Sequence, residues 1–365
     1  MAPDTDRALR EGKAREERAY GIGFVRFTDD TPEAPRGTVV LEDGATVWGY
    51  PRIGRILALE TGLRQHLGEP FWLEEKVDGY NVRIFRTGDR VLALTRGGFV
   101  CPFTTDRLPE LLDLSVLERE PDLVICAEVA GPGTPYLDSS PPFVKGDVEL
   151  FVFDLMRLGR PGLVPQEEKL SVVARYRLPH PLTEGPLGLA DLPRIRSTLR
   201  RFDAEGREGA VFKEQGPRNR RVKYVTAAAC IQDIRVTSRS LLDLPAEFFT
   251  QRLARLALFC EEHGVRPTRE LRERLGAAFL DGLAEAVARY RRERKVYHRC
   301  RCRFRERRNA ELYREHLGRL QGKSVHVAFR GLYPEGGYWV LEFDRISPAM
   351  TGALENLTRG GMVFD

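Results

Sequence analysis

With 365 residues, the chain is long enough to bury a full hydrophobic core and is expected to form two or more domains. Hydrophobic residues account for 42% and charged residues for 30% of the sequence, and no apolar run approaches the roughly 18 residues that a membrane span needs. The composition therefore indicates a soluble globular protein without a membrane anchor. The first twenty residues are charged and lack the apolar segment of a secretory signal, so the predicted compartment is the cytosol. In that reducing compartment the six cysteines are expected to be free thiols.

The net charge of +5 conceals an uneven distribution, because arginine and lysine crowd residues 289–308. A basic stretch of this kind suits a polyanion such as nucleic acid. The alternative is a solvated helix face with interleaved acids, and the sequence leaves both interpretations open.

The first two thirds of the chain carry mostly strand patterns. Two short β-branched runs within residues 37–50 flank Asp43-Gly44 and predict a hairpin. A second hairpin is predicted within residues 80–95, around the turn Thr87-Gly88-Asp89. Further strands are predicted at residues 122–130, 148–155, 209–214 and 221–225, and amphipathic helices at residues 55–66 and 192–202. This order predicts an α+β fold with antiparallel sheets and argues against a doubly wound fold.

The pattern becomes helical after Ser240. Large apolar residues recur every four positions within residues 271–287, and a preceding helix is predicted to stop near His263-Gly264. Residues 241–318 are accordingly predicted to form a helical domain. Strand character resumes at residues 324–329 and 338–343, with a turn at residues 334–337.

The segment EEKVDGYNVRI places Lys76 before Asp78, Gly79 and a predicted strand. A lysine held by a glycine turn at the mouth of a sheet can point at a phosphate. Lys-x-Asp-Gly alone is a weak signal, and a structural turn is its default interpretation. The weight comes from the motifs that follow in order, which are TRGG (95–98), AEVAG (127–131), ELFVFDL (149–155), EGAVFK (208–213) and RVKYV (221–225).

This ordered set resembles the nucleotidyltransferase motifs shared by DNA ligases, RNA ligases and mRNA capping enzymes. KVDGYN, TRGG and KYVTAAACIQDI are most similar to the motifs of archaeal-type homodimeric ATP-dependent RNA ligases, and the resemblance is strong over residues 50–236. It implies a nucleotidyltransferase (ATP-grasp-like) domain of antiparallel sheets flanked by helices, a C-terminal helical domain and a small β tail. The implied domains are an N-terminal β-containing module (1–65), an adenylyltransferase catalytic domain (66–238), a helical dimerisation domain (239–318) and a small C-terminal α/β tail (319–365).

Lys76 is the predicted nucleophile. Its neutral amine would attack the α-phosphate of ATP, form a phosphoramidate and release pyrophosphate. Because a free lysine has a pKa near 10.4, lowering that pKa by about 3 units requires about 4 kcal/mol from the surroundings. The resemblance assigns α-phosphate binding to Lys213 and Lys223, whose charges would also favour the neutral amine of Lys76. The alternative for each of them is an exposed strand lysine.

The resemblance assigns further residues to ATP and to a divalent metal. Glu208 would hold Mg²⁺, or Mn²⁺, through water. Glu128 would bind the ribose, with a buried ion pair as the alternative. Phe153 would stack on adenine in preference to Phe151, although core packing is the usual fate of a strand phenylalanine. The implied ATP-binding residues are Glu75, Lys76, Val77, Asn81, Arg96, Glu128, Phe153, Lys213, Arg221 and Lys223, and the catalytic ones are Lys76, Lys213 and Lys223.

Two positions bear on which member of this group the chain resembles. The last motif usually reads Lys-x-Lys but here begins with Arg221, which can bind phosphate with two nitrogens but cannot replace a lysine that must change protonation. Lys223 therefore carries the expected role more clearly than Arg221. Asn81 stands where related RNA ligases keep asparagine and DNA ligases more often have arginine.

The single Cys-x-Cys at Cys300 and Cys302 lacks the second ligand pair of a zinc site, so no zinc site is predicted there.

The predicted function is ATP-dependent RNA ligation, joining or circularising 5′-phosphate and 3′-hydroxyl RNA ends through lysyl-AMP and an adenylylated RNA. The expected partners are RNA, with single-stranded DNA left open, and a second copy of the chain. The nearest alternative is a DNA ligase or a capping enzyme, which normally carries an oligonucleotide-binding barrel where this chain becomes helical. The distant alternative is an inactive RNA-binding protein, against which the combination of Lys76, Glu208, Lys213 and Lys223 argues.

Overall fold

The computed structural model describes residues 3–137, 139–320 and 326–362, which form an α+β fold with four sheets. The strands are β1 (Ala14–Ala19), β2 (Ile22–Phe27), β3 (Val39–Leu41), β4 (Thr46–Val47), β5 (Gly54–Arg55), β6 (Phe71–Lys76), β7 (Tyr80–Thr87), β8 (Arg90–Thr95), β9 (Leu123–Ala130), β10 (Glu149–Arg157), β11 (Thr183–Leu187), β12 (Gly209–Glu214), β13 (Arg221–Val225), β14 (Tyr297–Phe304), β15 (Val327–Glu335) and β16 (Tyr338–Ile346). The helices are α1 (Thr5–Arg10), α2 (Leu59–His66), α3 (Pro102–Leu111), α4 (Ser115–Arg119), α5 (Gln166–Tyr176), α6 (Leu192–Ala204), α7 (Ala227–Thr237), α8 (Glu247–Glu262), α9 (Arg269–Glu293), α10 (Arg307–Leu320) and α11 (Pro348–Thr358).

The chain divides into two compact units. The first comprises Met1–Arg55, Arg64–Ala190 and Val211–Lys223, and the second comprises Ile56–Leu63, Asp191–Ala210 and Tyr224–Asp365. The boundaries proposed from the sequence at residues 65, 238 and 318 remain a proposal.

The first unit begins with a sheet of order β1-β2-β3-β4, within the module predicted to contain strands. The predicted hairpin around Asp43-Gly44 is confirmed, because Val39 pairs with Val47 and Gly44 takes the positive φ of 82° that the turn requires. Apolar residues of this sheet share a buried core with strands β7 to β10. That core includes Phe24, Phe27, Val47, Trp48, Phe85, Leu92, Val124 and Met156.

The second sheet has the order β10-β9-β7-β8 and contains the second predicted hairpin. Thr87 pairs with Arg90 across a turn in which Gly88 has φ 58°. Strand β9 is buried along almost its whole length, as expected for a central strand that is covered on both faces.

The third sheet has the order β11-β6-β12-β13-β5. Its strands β12 and β13 coincide with the predicted ones residue for residue. The helix predicted from residue 55 begins at Leu59 instead, because Gly54 and Arg55 form the edge strand β5, which runs parallel to Val222 and Lys223. A strand of two residues is too short to show an alternating pattern, so no sequence signal separates it from the following helix.

The second unit contains the helices predicted after Ser240. Helix α8 ends at Glu262, and Gly264 adopts a left-handed φ of 63°, as the predicted stop requires. Helices α7, α8 and α9 pack through a core of Ile231, Ile234, Phe249 and Ala278. None of the described helices combines the length and the apolar character needed to cross a membrane.

The fourth sheet, of order β14-β16-β15, corrects one prediction. Residues 297–304 lie inside the segment 241–318 that was predicted to be helical, yet they form β14. Cys300, Cys302 and Phe304 alternate with arginines, and the high charge of residues 289–308 obscures this period of two. The basic stretch therefore spans the end of α9, strand β14 and the start of α10, and it is not a single helix face.

The C-terminal strands are confirmed where the structure describes them. Strand β15 begins at Val327, and positions 324 and 325 of the predicted strand lie outside the described residues. The turn before β16 falls at Gly336-Gly337, whose φ values are 57° and 82°. Helix α11 completes the predicted α/β tail.

Candidate active site

The third sheet gathers the predicted catalytic lysines. Strand β6 lies beside β12 and β12 lies beside β13, so Lys76, Lys213 and Lys223 come from three neighbouring strands. Side chains two positions apart along a strand share a face, which places Glu74 with Lys76 and Arg221 with Lys223. A hydrogen bond of 2.5 Å from Nζ of Lys213 to Oε1 of Glu74 joins the faces of β6 and β12. Lys76 and Lys223 are half-buried, whereas Lys213 is only 1% exposed.

Two motif glycines are required by close backbone contacts. A Cβ atom at Gly79 would lie 2.6 Å from the carbonyl oxygen of Val129 and 2.7 Å from Cγ of Glu128. Gly209 has φ 147°, and a Cβ atom there would collide with the carbonyl oxygen of Tyr224. A side chain at either position would collide with these atoms, so steric hindrance explains why glycine follows Asp78 and why it follows Glu208.

A buried ion cluster surrounds Lys213. Its ammonium donates to Oε1 of Glu74, to Oδ1 of Asp154 at 3.2 Å and to the carbonyl oxygen of Phe153. Lys169 from α5 donates to Oε2 of Glu74 at 2.6 Å. Because an ammonium has three donors, a phosphate oxygen that binds Lys213 would have to displace one of these acceptors. Phosphate binding by Lys213 stays a prediction.

Asp154 joins this cluster to the last motif. It accepts hydrogen bonds from Oη of Tyr50 at 2.6 Å and from Arg221 at 2.9 Å. Burial alone would raise the pKa of Asp154, but the positive charges of Lys213 and Arg221 lower it to about 2. Glu74 behaves similarly, since burial is outweighed by its lysine partners and its pKa is lowered. Both carboxylates are therefore charged at neutral pH.

Arg221 is committed to protein partners in this structure. Besides Asp154, its guanidinium donates to the carbonyl oxygen and to Oδ1 of Asn219, at 2.6 and 2.9 Å, and its side chain is 3% exposed. A contact between Arg221 and ATP therefore also stays a prediction. These contacts tie Arg221 to Asp154 and to the backbone at Asn219.

Asn81, Glu128 and Phe151 lie in one row across the second sheet. Asn81 is opposite Glu128, and Glu128 is opposite Phe151. Directly opposed residues share a face, so the three side chains point to the same side. Oδ1 of Asn81 is buried and accepts no hydrogen bond from the residues that the structure describes. Buried acceptors rarely lack a hydrogen-bond donor, and a ligand could supply the donor for Oδ1 of Asn81.

Two phenylalanines remain candidates for the adenine. Phe153 lies where the register of β10 shifts, and its ring packs edge-on against Tyr50 with the centroids 5.4 Å apart. Phe151 packs edge-on against Phe143 at 5.9 Å. Both phenylalanines are half-buried, so the preference for Phe153 stays a prediction.

Arg96 is exposed in the loop that follows β8.

Arg83, which sequence reasoning missed, is fully buried on β7 and donates to the carbonyl oxygens of Trp48, Gly37 and Thr95. Burial lowers the pKa of Arg83 to about 10, so the guanidinium is still charged at neutral pH. It ties the N-terminal module to the loop of Arg96. An arginine inside the apolar run NVRIF was the available signal.

Other missed residues lie in the ion cluster, where acids inside the motifs were the available signal. Glu74 directly precedes Glu75 in the first motif, and Asp154 directly follows Phe153. Lys169 gave no comparable sign, because a lysine on an amphipathic helix is ordinarily exposed.

The remaining predicted residues flank the lysines in the chain. Glu75 and Val77 are both buried beside Lys76. Glu208 immediately precedes β12, is half-buried, and accepts a backbone hydrogen bond of 3.0 Å from Thr226. Among the residues described, no three His, Cys, Asp or Glu side chains form a group that would hold a metal ion. A single carboxylate suits a magnesium ion whose other ligands are water and phosphate oxygens.

Two family models of ligases together match most of the chain. A family model described as RNA ligase matches residues 69–225, and one described as the C-terminal region of ligase Pab1020 matches residues 236–361. A solved structure from Aquifex aeolicus, named "Putative ATP-dependent DNA ligase", is 49% identical, covers 98% of this chain and 99% of its own, and has a TM-score of 0.93. A structure of an archaeal ATP-dependent RNA ligase is 28% identical over 98% of this chain and 95% of its own, with a TM-score of 0.89.

A curated relative, an uncharacterised protein of Methanocaldococcus jannaschii, is 28% identical over 78% of this chain and 74% of its own length. The two family models lie side by side along the chain, and the structural matches extend over nearly all of it with the nucleotidyltransferase fold. The chain belongs to the archaeal-type family of ATP-dependent RNA ligases.

Proposed function

We propose that the chain joins a 5′-phosphate and a 3′-hydroxyl of RNA at the expense of ATP, with Lys76 as the covalent carrier of AMP. The observation that carries this proposal is the placement of Lys76, Lys213 and Lys223 on three neighbouring strands of one sheet. Cations near a nucleophilic lysine lower its pKa and stabilise the charge that develops on phosphate.

In the first step, Nζ of Lys76 attacks the α-phosphorus of ATP. A P–N bond forms, the P–O bond to pyrophosphate breaks, and Lys76 loses its proton. Lys223, half-buried on the same face, contacts the α-phosphate in this proposal. Lys213 contacts it by exchanging one of its present acceptors, and Arg221 supports both from the cluster around Asp154.

Nucleotide recognition falls to the second sheet. Glu128 accepts hydrogen bonds from the ribose, and Asn81 offers its buried Oδ1 on the same row. Phe153 stacks on the adenine, held by its edge contact with Tyr50. Arg96 contacts phosphate from its exposed loop. The buried Glu75 and Val77 shape the strand end that presents the nucleophile.

A divalent ion, Mg²⁺ or Mn²⁺, would be held by Glu208 together with water and phosphate oxygens. Such an ion neutralises phosphate charge and favours the departure of pyrophosphate. The residues present fit this role only with the nucleotide bound, since the described chain has no preformed group of three ligands.

In the later steps, AMP passes from Lys76 to the 5′-phosphate of an RNA end and forms a 5′-5′ pyrophosphate. A 3′-hydroxyl then attacks the activated phosphate, the new phosphodiester forms and AMP leaves.

A cytosolic homodimer is part of the proposal. Leu253 and Leu258 of α8 and Leu280 of α9 are exposed, and a second copy would cover some of these leucines.

The second candidate is ligation of DNA. The relative from Aquifex aeolicus that is 49% identical is named as a DNA ligase, and the lysyl-AMP chemistry does not distinguish the two polymers. Asn81 and the helical segment after β13 favour RNA.

The test is ligation of 5′-phosphorylated RNA and DNA strands of identical sequence, with ATP and Mg²⁺, by wild type and Lys76→Ala. We expect sealed RNA and a transient adenylylated RNA from wild type and neither from Lys76→Ala. Faster sealing of DNA than of RNA would favour the second candidate. No adenylylated strand of either kind would contradict both.

A further inference from the structure

The fourth sheet has one covered face and one charged face. Helix α10 covers the first, where Tyr313 contacts the rings of Phe304 and Phe343. The register places Arg299 opposite Asp344 and Arg301 opposite Glu342 on the other side. We call this other side the arginine face. Its charged and aromatic members are Lys295, Tyr297, Arg299, Arg301, Arg303, Arg330, Tyr333, Glu335, Tyr338, Glu342 and Asp344.

One carboxylate holds three cations at the centre of this face. Asp344, which is fully buried, accepts from Nε of Arg299 at 3.0 Å and from Nε of Arg330 at 2.8 Å, and Lys295 lies 3.7 Å away. Burial alone would raise the pKa of Asp344, but the hydrogen bonds from Arg299 and Arg330 lower it. The carboxylate is therefore charged and neutralises one of three positive charges, while it fixes the positions of all three.

The cations remain accessible although they are held. The side chains of Arg299, Arg301 and Arg330 are 50%, 43% and 39% exposed. Over the whole arginine face, the five cations outnumber the three carboxylates by two. Two further charged residues contact Tyr297 at the end of the arginine face. These are Arg289 and Glu293, whose opposite charges cancel.

Aromatic rings are interleaved with these cations. The guanidinium of Arg303 lies 5.1 Å from the ring centroid of Tyr338, and Oη of Tyr333 donates to Glu342 at 2.8 Å. Both tyrosines are half-buried, so each keeps part of its surface in solvent. Exposed cations for phosphates, combined with rings for bases, are what proteins use to bind single-stranded nucleic acid.

We propose that the arginine face binds the sugar-phosphate backbone of a single-stranded RNA. This inference rests on the proposed function for the identity of the polymer. Charge complementarity favours RNA over a second copy of the chain, because two such faces carry the same excess charge and repel each other. The fixed geometry around Asp344 reduces the side-chain entropy that binding would otherwise cost.

The test measures binding of a 5′-phosphorylated single-stranded RNA to the full chain across a range of salt concentrations. Arg299→Gln/Arg330→Gln removes two phosphate contacts. Each contact to a single strand contributes about 0.7 to the slope of log affinity against log salt, so the slope should fall by about 1.4 and the affinity by about 25-fold at about 0.1 M salt. AMP transfer to Lys76 should be unchanged.

The matched control, Arg307→Gln/Arg319→Gln, removes the same charge from α10. These two arginines belong to the helix on the opposite side of the sheet and pair with glutamates one turn away. Because loss of the two arginine partners of Asp344 can impair folding, Arg301→Gln/Arg303→Gln provides a second variant that leaves Asp344 its contacts. It should weaken RNA binding to a similar degree.

RNA affinities and salt slopes of both arginine-face variants within twofold of the control would overturn the proposal. A change in molecular mass by light scattering, with RNA binding intact, would instead assign the face to a second copy. Failure of wild type to accept AMP would refute the proposed function, and the RNA-binding comparison would still decide this inference.

Discussion

Glu74 is the residue on which the buried ion cluster depends, and its neutralisation should be severely destabilising. Glu74→Gln keeps the shape of the side chain but removes the carboxylate that pairs with the buried Lys169 and Lys213. Asp154 then remains as the carboxylate that pairs with Lys213 and Arg221. Breaking a buried ion pair from one side costs about 3–5 kcal/mol, because the remaining charge is uncompensated. We expect the free energy of unfolding to fall by that amount.

Urea denaturation of wild type, Glu74→Gln, Lys169→Met and the double variant measures this effect. Lys169→Met removes the charge that Glu74→Gln leaves uncompensated, so the double variant should be more stable than the sum of the two losses predicts, by about 1–3 kcal/mol. Glu168→Gln is the control, because this glutamate is 51% exposed and its loss should cost at most about 1 kcal/mol. A loss below about 1 kcal/mol for Glu74→Gln, without coupling to Lys169, would refute the reasoning.

Three further predictions follow from the site. The pKa of Asp154 is about 2 in the folded protein and near 4 in the unfolded chain, so the charged carboxylate stabilises the fold at pH values above about 4. This contribution is lost as the pH falls towards about 2. In urea titrations, the stability advantage of wild type over Asp154→Asn should therefore shrink between these two pH values. An advantage that does not depend on pH would contradict it. Phe153→Leu should weaken ATP binding about tenfold, and clearly more than Phe151→Leu, in calorimetric titrations, since stacking contributes about 1–3 kcal/mol; the reverse order would make Phe151 the adenine platform. Gly79→Ala should block transfer of AMP from labelled ATP, because its Cβ would meet the backbone of β9; normal labelling would show that the strand can move aside.

Most strands that carry the motifs could be predicted because their signals are local, but strand β6, which ends at Lys76, was not among them. The glycine turns at Gly44 and Gly88 and the apolar run of β9 specify their elements within a few residues. Strand β14 was mistaken for helix, since the arginines that alternate with Cys300 and Cys302 resemble a solvated surface when read as a charge run. Strand β5 was missed because its existence depends on pairing with β13, far away in the chain.

Some residues of the candidate site could be predicted from the sequence and others could not. Lys76, Lys213, Lys223 and Glu128 were predicted from residue order, which a family resemblance captures. Lys169, the second lysine that binds Glu74, was not, because the two residues are 95 positions apart and an isolated lysine on a helix carries no sign of burial. The contacts of Arg83 could not be predicted either, since its three acceptors are backbone carbonyls that any residue supplies.

The central claim is that Lys76 carries AMP, and intact-mass measurement after incubation with ATP and Mg²⁺ tests it most directly. Wild type should gain the mass of one AMP group, a peptide digest should place that group on Lys76, and Lys76→Ala should gain nothing. Release of the AMP by added pyrophosphate would confirm that the bond is reversible and activated. An AMP group on another residue, or an unchanged mass in folded wild type that does not already carry AMP, would contradict the account.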